Sequence, residues 1–389
     1  MIPLRLSAMS FSFDPFDFAV HADPYPFYRV LRDSHPVYWS EGAKCFVLSR
    51  HADVFSALHS VPRFSNTGGN VIDDSRAKLG RTVGSVDPPR HGELRGLVNE
   101  AFNRRQVAKE EAFIAETVAR LLHGRQAPFD LVRDVTSPLS GAIMAQLLGL
   151  EGADLAEFKR LLDISLFRDP VTRARTPEGE AAQAEMFRLT AAQVEKRRDN
   201  PGEDMISALL AMDLEPESTV WMARAVFGAG FESTSSFLAN ACLAFMRNPA
   251  QARLLREAPA LLPQAIEEAL RYETPAQRFA RLLLEDTEMH GVTMPAGSKI
   301  MLLYGSANRD ERAFDRPEEF DITRKPGRHM ALGHGIHFCA GAALARSIAG
   351  HFLPVVLPLL EQAKLPDGPL QWAHSPTFRS LTALPLRPA

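Results

Sequence analysis

Apolar residues recur at helical spacing along most of the chain and alternate in only a few short stretches. That pattern predicts a mainly helical protein with a small sheet. Around 137–149, Ser137-Pro138 offers a cap and a first-turn proline, Leu139, Ile143 and Leu147 an apolar face, and Gly149 a stop. A second helix is expected over 263–272, ended by Pro275. A third, over about 218–247, would run roughly 45 Å at the helical rise. Strands are expected at 37–39 and 46–48 around a turn at Gly42. Two more are expected at 281–284 and 299–304, with a turn at Pro295-Ala296-Gly297. The run 225–246 carries no charge but Glu232 and is long enough to span a membrane. With a carboxylate, Asn240, serines and two glycines in it, it reads instead as a buried central rod.

Composition adds exclusions. The 389 residues are 46% hydrophobic, with 44 basic against 47 acidic side chains, so nothing in bulk charge points to nucleic acid. Cys45, Cys242 and Cys339 are too few and too scattered for a disulfide framework, which suits a reducing cytoplasm. Residues 1–10 hold no long apolar stretch and read as neither signal peptide nor membrane anchor; they are expected to be poorly ordered. No repeat or linker divides the chain, so 1–389 is expected to be a single domain.

The most informative stretch is Leu332-Gly333-His334-Gly335-Ile336-His337-Phe338-Cys339-Ala340-Gly341, followed by the helix-like Ala342-Ala343-Leu344-Ala345-Arg346. Glycines let the backbone turn tightly and approach a flat ligand. A thiolate just before a helix start is stabilised by the dipole and by backbone N–H donors. Such a cysteine suits axial ligation of haem iron, where it pushes electron density onto the metal.

This loop resembles the haem-binding loop of the cytochrome P-450 family, Phe-x-x-Gly-x-His/Arg-x-Cys-x-Gly. Gly335, His337, Cys339 and Gly341 fall on the pattern, and Leu332 replaces the usual phenylalanine. Ala229-Gly230-Phe231-Glu232-Ser233-Thr234 is similar to the family's acid–alcohol motif, thought to relay protons to dioxygen at the haem. Small residues at Ala229 and Gly230 let a bulky group lie on the helix. The Ser233 hydroxyl can compete for a backbone carbonyl and open a kink. Serine stands where threonine is usual, so either Ser233 or Thr234 supplies the hydroxyl. Asp87-Pro88-Pro89-Arg90-His91 with Arg95, then Arg281 and His337, resemble the family's clamp on the haem propionates. Glu268 and Arg271 match its structural Glu-x-x-Arg pair, with Arg324 favoured over Arg316 as third partner. The resemblance runs from Asp23-Pro24-Tyr25-Pro26 to Ala383-Leu384-Pro385.

The resemblance implies a triangular helical prism with a small β region, binding haem b. It implies a haem-thiolate monooxygenase that inserts one atom of O2 into a hydrophobic small molecule. Electrons would come from a separate ferredoxin or flavodoxin with its reductase, docking near Arg104-Arg105 if that pair is not simply solvated. The chain would be soluble, cytoplasmic and monomeric, without nucleic-acid or membrane partners. By resemblance the substrate pocket draws on 64–86, Leu166-Phe167, Phe227, Ala229, Phe231, Gln277, Arg278, Phe279 and Phe378. Arg278 either meets a substrate carboxylate or turns outward. A peroxide-driven haem-thiolate enzyme and a non-catalytic haem-thiolate sensor or carrier are the competing readings, and Glu232-Ser233 weighs against both.

Overall fold

The computed structural model describes residues 11–389 except 170 and 213; the expectation for residues 1–10 lies outside the described residues. The long helix is Pro216–Arg247, 32 residues. Proline in its first turn sacrifices no internal hydrogen bond. It packs against Ser137–Leu148, Pro177–Asp199, Leu262–Tyr272 and Ala342–Glu361. Phe237, Leu238, Cys242 and Phe245 are buried, and the buried Asn240 amide donates to the Arg379 carbonyl at 2.9 Å. The apolar run is therefore an interior rod with its polar group satisfied. Among the described residues, Ala342–Glu361 is the helix long and apolar enough to cross a membrane, and its Ile348, Phe352 and Val356 are buried in the same core.

Ser137–Leu148 ends at Gly149 with φ +79°, a left-handed position that favours glycine. Its start departs from expectation. A wider-wound π turn, Val132–Thr136, leads directly into it, and the Ser137 hydroxyl caps nothing. Asp130 takes that role, accepting from the N–H groups of Val132 and Arg133 at 2.9 Å each.

The sheet has five strands in the order Val37–Ser40, Cys45–Leu48, Lys299–Leu303, Arg278–Leu283, Phe64–Ser65. The expected strand at 281–284 thus begins three residues earlier. A hairpin of Thr287–Met289 and Val292–Met294, not foreseen, precedes the turn at Gly297. Parity then decides what each side chain meets, because neighbours on a strand face opposite ways.

Glu268 and Arg271 were expected on one face of their helix, which is Leu262–Tyr272, and both are almost fully buried. The guanidinium bonds both carboxylate oxygens at 2.7 and 2.8 Å, and donates to the carbonyls of Asn308 and Pro317 at 2.8 Å. Arg324 joins Glu268 at 3.2 Å, whereas Arg316 is exposed and pairs with Glu319. This cluster clamps the segment before the cysteine loop onto the helical core. Arg271→Ala leaves a buried carboxylate short of its partner and is expected to cost about 3–5 kcal/mol. Arg316→Ala is expected to stay within about 0.5 kcal/mol. Denaturant midpoints of the two variants check the contrast.

Candidate active site

The cysteine loop is built by two left-handed glycines, Gly333 (φ +66°) and Gly335 (φ +70°). A Cβ on Gly335 would lie 2.3 Å from the Leu58 carbonyl oxygen, so both conformation and space require glycine there. The Cys339 N–H closes the loop on the Leu332 carbonyl at 2.8 Å, and Gly341 leads into the helix Ala342–Glu361. Burial pushes the Cys339 thiol up, while the Gly341 N–H and the charges of Arg95 and Arg346 pull it down. Leu332, in the position of the family's phenylalanine, is buried and borders the same cavity as the sulfur.

A cavity of about 470 Å³ separates this loop from the long helix. On one side stand His91, Arg95, Arg281 and His337. The His91 and His337 rings lie 4.4 Å apart, and the Nε2 atoms of both are buried without a hydrogen-bond partner. Burial, with Arg281, His91 and Arg95 around it, pushes His337 down to about 3. Asp87 Oδ1 is 3.9 Å from His337, but its carboxylate already accepts from the Ser65 hydroxyl and the Asn66 N–H. A cluster of cations and orphaned imidazoles with so little negative charge fits a dianionic ligand, as the two haem propionates would be.

Across the cavity, Ala229, Ser233 and Thr234 form its wall on the long helix. The Ser233 hydroxyl donates to the Ala229 carbonyl at 2.6 Å, within the helix Pro216–Arg247. Gly230 borders the cavity too, but its bare Cα serves packing: a Cβ would meet Met144 Sδ at 2.3 Å. Ser140 on that neighbouring helix donates to the Phe231 carbonyl at 2.7 Å. Glu232 does not share the wall with Ser233. Its carboxylate points to the far side, where the Ser380 and Ser236 hydroxyls donate to Oε1 and Lys159 Nζ lies 3.6 Å from Oε2.

The expected substrate contacts divide by periodicity. Phe279 and Arg281, two apart on their strand, both border the cavity. Arg278, between them, turns away and donates to the Tyr28 hydroxyl at 2.9 Å and to the carbonyls of Pro15 and Pro376. Gln277 is also turned aside, donating to the Thr274 carbonyl at 2.7 Å. Phe227 and Phe231 lie on the helix face opposite Ala229 and stack in the core, 5.3 Å apart and with Phe158 against Phe227 at 5.1 Å. Phe378 and Leu166 do border the cavity, whereas Phe167 is exposed beside His374. The segment 64–86 contributes more polar groups than expected, among them Asn66, Asn70, Asp73 and Lys78.

Sequence reasoning missed a brace behind the cysteine. Arg346, one turn into its helix, bonds both oxygens of Glu267 at 2.6 and 2.8 Å, and His329 meets Glu267 at 3.0 Å. The i, i+3 habit of reading Glu268 with Arg271 gave no hint of it, since its partners lie 62 and 79 residues away.

A cysteine at a helix start, a cluster of arginines and unpartnered imidazoles, and a hydroxyl-bearing long helix thus line one cavity. The sequence matches the cytochrome P450 family model over residues 21–368, and the chain belongs to that family. It is 34% identical to the cytochrome P450 monooxygenase PikC of Streptomyces venezuelae, covering 95% of this chain and 92% of that one. In structure it is similar to CYP109E1 from Bacillus megaterium, solved with testosterone, at TM-score 0.87 and 31% identity over 95% and 98% of the chains. It is likewise similar to P450BioI, solved with an acyl-ligated acyl carrier protein, at TM-score 0.86 and 30% identity over 95% and 100%. The chain is thus a haem-thiolate monooxygenase whose cofactor is haem b, with the mainly helical fold of its family.

Burial works against the Glu267 carboxylate, but hydrogen bonds from Arg346 and His329 outweigh it and hold the group down at about 2, against an ordinary 4.5. A depressed acid stabilises the fold above its ordinary pKa, and that share is lost as pH falls through the folded value. With the pair partly solvated, on the order of 1–2 kcal/mol should therefore disappear between about pH 4.5 and 2. Glu267→Gln is expected to be less stable at neutral pH and to lose less over that window, as denaturant titrations at stepped pH would show.

Proposed function

We propose that Cys339 ligates the haem iron, that His91, Arg95, Arg281 and His337 hold its propionates, and that the substrate is a largely apolar small molecule. The observation that carries this reading is the cavity itself, with the sulfur on one wall, the orphaned imidazoles beside it and the Ser233 hydroxyl opposite. Haem, when bound, supplies the activation of O2 that places one oxygen atom in the substrate and releases the other as water. The chain's own part is to orient the substrate, exclude water and deliver protons.

For delivery, Glu232 is the buried acid and Lys159 its link outward. Lys159 is also bonded to Asp163, whose side chain is about half exposed. Burial disfavours the Lys159 ammonium, but the Glu232 and Asp163 carboxylates outweigh that and hold its pKa up. Protons entering at Asp163 can pass by Lys159 to Glu232. A rotation of the Glu232 side chain then brings them to the Ser233 hydroxyl, or to that of Thr234.

Electrons are assigned to a separate ferredoxin or flavodoxin with its reductase. Arg104 and Arg105 are exposed in the first turn of the helix Arg104–Leu122. Cations are unfavourable at a helix N-terminus, so this pair does not serve helix stability, and an acidic carrier is the partner it suits.

Two measurements test the reading. The reduced, CO-bound protein is expected to show the red-shifted Soret band that gives the family its name, and Cys339→Ser to lose it. A histidine-type band from fresh, intact protein would remove Cys339 as the ligand. Serine lacks the methyl that fixes a threonine rotamer, so Ser233→Thr is expected to leak somewhat less peroxide per electron pair consumed. Equal coupling of electrons to product in the two proteins would contradict the role given to Ser233.

A further inference from the structure

A second group of charges borders the cavity, drawn from the long helix, from the connection between the helices Leu155–Leu166 and Pro177–Asp199, and from the segment 64–86. Arg168 is closed on Asp73, and Arg175 on Glu180 at 3.1 Å with Asp73 at 3.9 Å. Lys78 is closed on Asp74 at 2.8 Å. Arg224 is the cation left over. Among the described residues no carboxylate lies within ion-pair distance of it, its Nε is buried without any hydrogen-bond partner, and its guanidinium rests on the Trp221 ring at 4.9 Å. Arg224 borders the cavity. Burial, with Arg175 nearby, pushes it down to about 10. Arg224 is half-buried with its donors unpaired; a guanidinium so placed is costly unless an anion joins it, and its planar fork matches a carboxylate.

We propose that Arg224 anchors the carboxylate of the substrate, whose apolar body runs along the cavity toward Cys339. The proposal rests on the monooxygenase reading and adds a substrate class to it: an amphipathic acid with one anionic end. Arg224 and Ser233 both border the cavity, nine residues apart on one helix, roughly 13 Å of axial rise and about half a turn around it. An extended chain advances roughly 1.2 Å per bond on the peptide scale, so carboxylate and oxidised carbon should be on the order of ten bonds apart. The site of oxidation is then remote from the acid group.

The test is spin-shift titration of the haem-loaded protein with decanoic, 4-cyclohexylbenzoic and deoxycholic acids, each against its methyl ester. At least one acid is expected to bind tenfold or more tightly than its ester. Arg224→Gln should cost that acid tenfold or more while leaving the ester unchanged, and Arg224→Lys should keep part of the preference. No acid-selective shift across the panel, or the same acid affinity in Arg224→Gln, overturns the proposal. The CO-bound spectrum of the same preparations separates the two failures. A red-shifted Soret band with no acid preference removes the anchor alone, and its absence removes the haem-thiolate reading beneath it.

Discussion

As the proposed iron ligand, one sulfur has to be held as an anion in a place where burial favours the neutral thiol. The rest of the structure answers that demand. Gly333 and Gly335 turn the backbone so that the Cys339 N–H is spent on Leu332 and the sulfur faces the cavity. The Gly341 N–H and the charges of Arg95 and Arg346 favour the thiolate. Arg346 can do so only because Glu267 fixes its guanidinium from the helix Leu262–Tyr272. That helix is tied in turn to the segment entering the loop by Glu268, Arg271 and Arg324. The loop is thus positioned by two adjacent glutamates that face different partners, and a slip of that helix would disturb both.

The parts legible in the sequence are those that local rules decide. Gly149 marked where Ser137–Leu148 stops, and Glu268 and Arg271 pair at a spacing that a helix allows. The cysteine loop was readable because its glycines are needed for backbone reasons at fixed positions. Less legible was anything settled by which way a side chain leaves its element. Gln277, Arg278 and Phe279 are consecutive, yet the pleat sends Phe279 into the cavity and Arg278 away, while Gln277, just before the strand, is held aside by the Thr274 carbonyl. Phe227 and Phe231 shared a helix with Ala229 but not a face. Contacts such as Glu267 with Arg346, or Glu232 with Ser380, join residues far apart in the chain and leave no local trace.

The same reasoning explains why a charged pocket went unread. An arginine on a mostly apolar helix is ordinarily assumed to reach solvent by its flexible stem. Arg224 stays half-buried instead, its guanidinium resting on the Trp221 ring beside the cavity. Arg278, the arginine that sequence position placed near a substrate, is instead fully engaged by Tyr28 and two carbonyls. The two differ in both burial and satisfaction: Arg278 is buried and hydrogen-bonded, and Arg224 is half-buried and unpaired. A buried guanidinium with its donors used is part of the scaffold, and one with donors unused and a cavity beside it stores unfavourable energy that an anionic ligand can release. By that criterion the pair His91 and His337 and, separately, Arg224 form two demands for negative charge. Haem propionates bound as proposed would meet only the first.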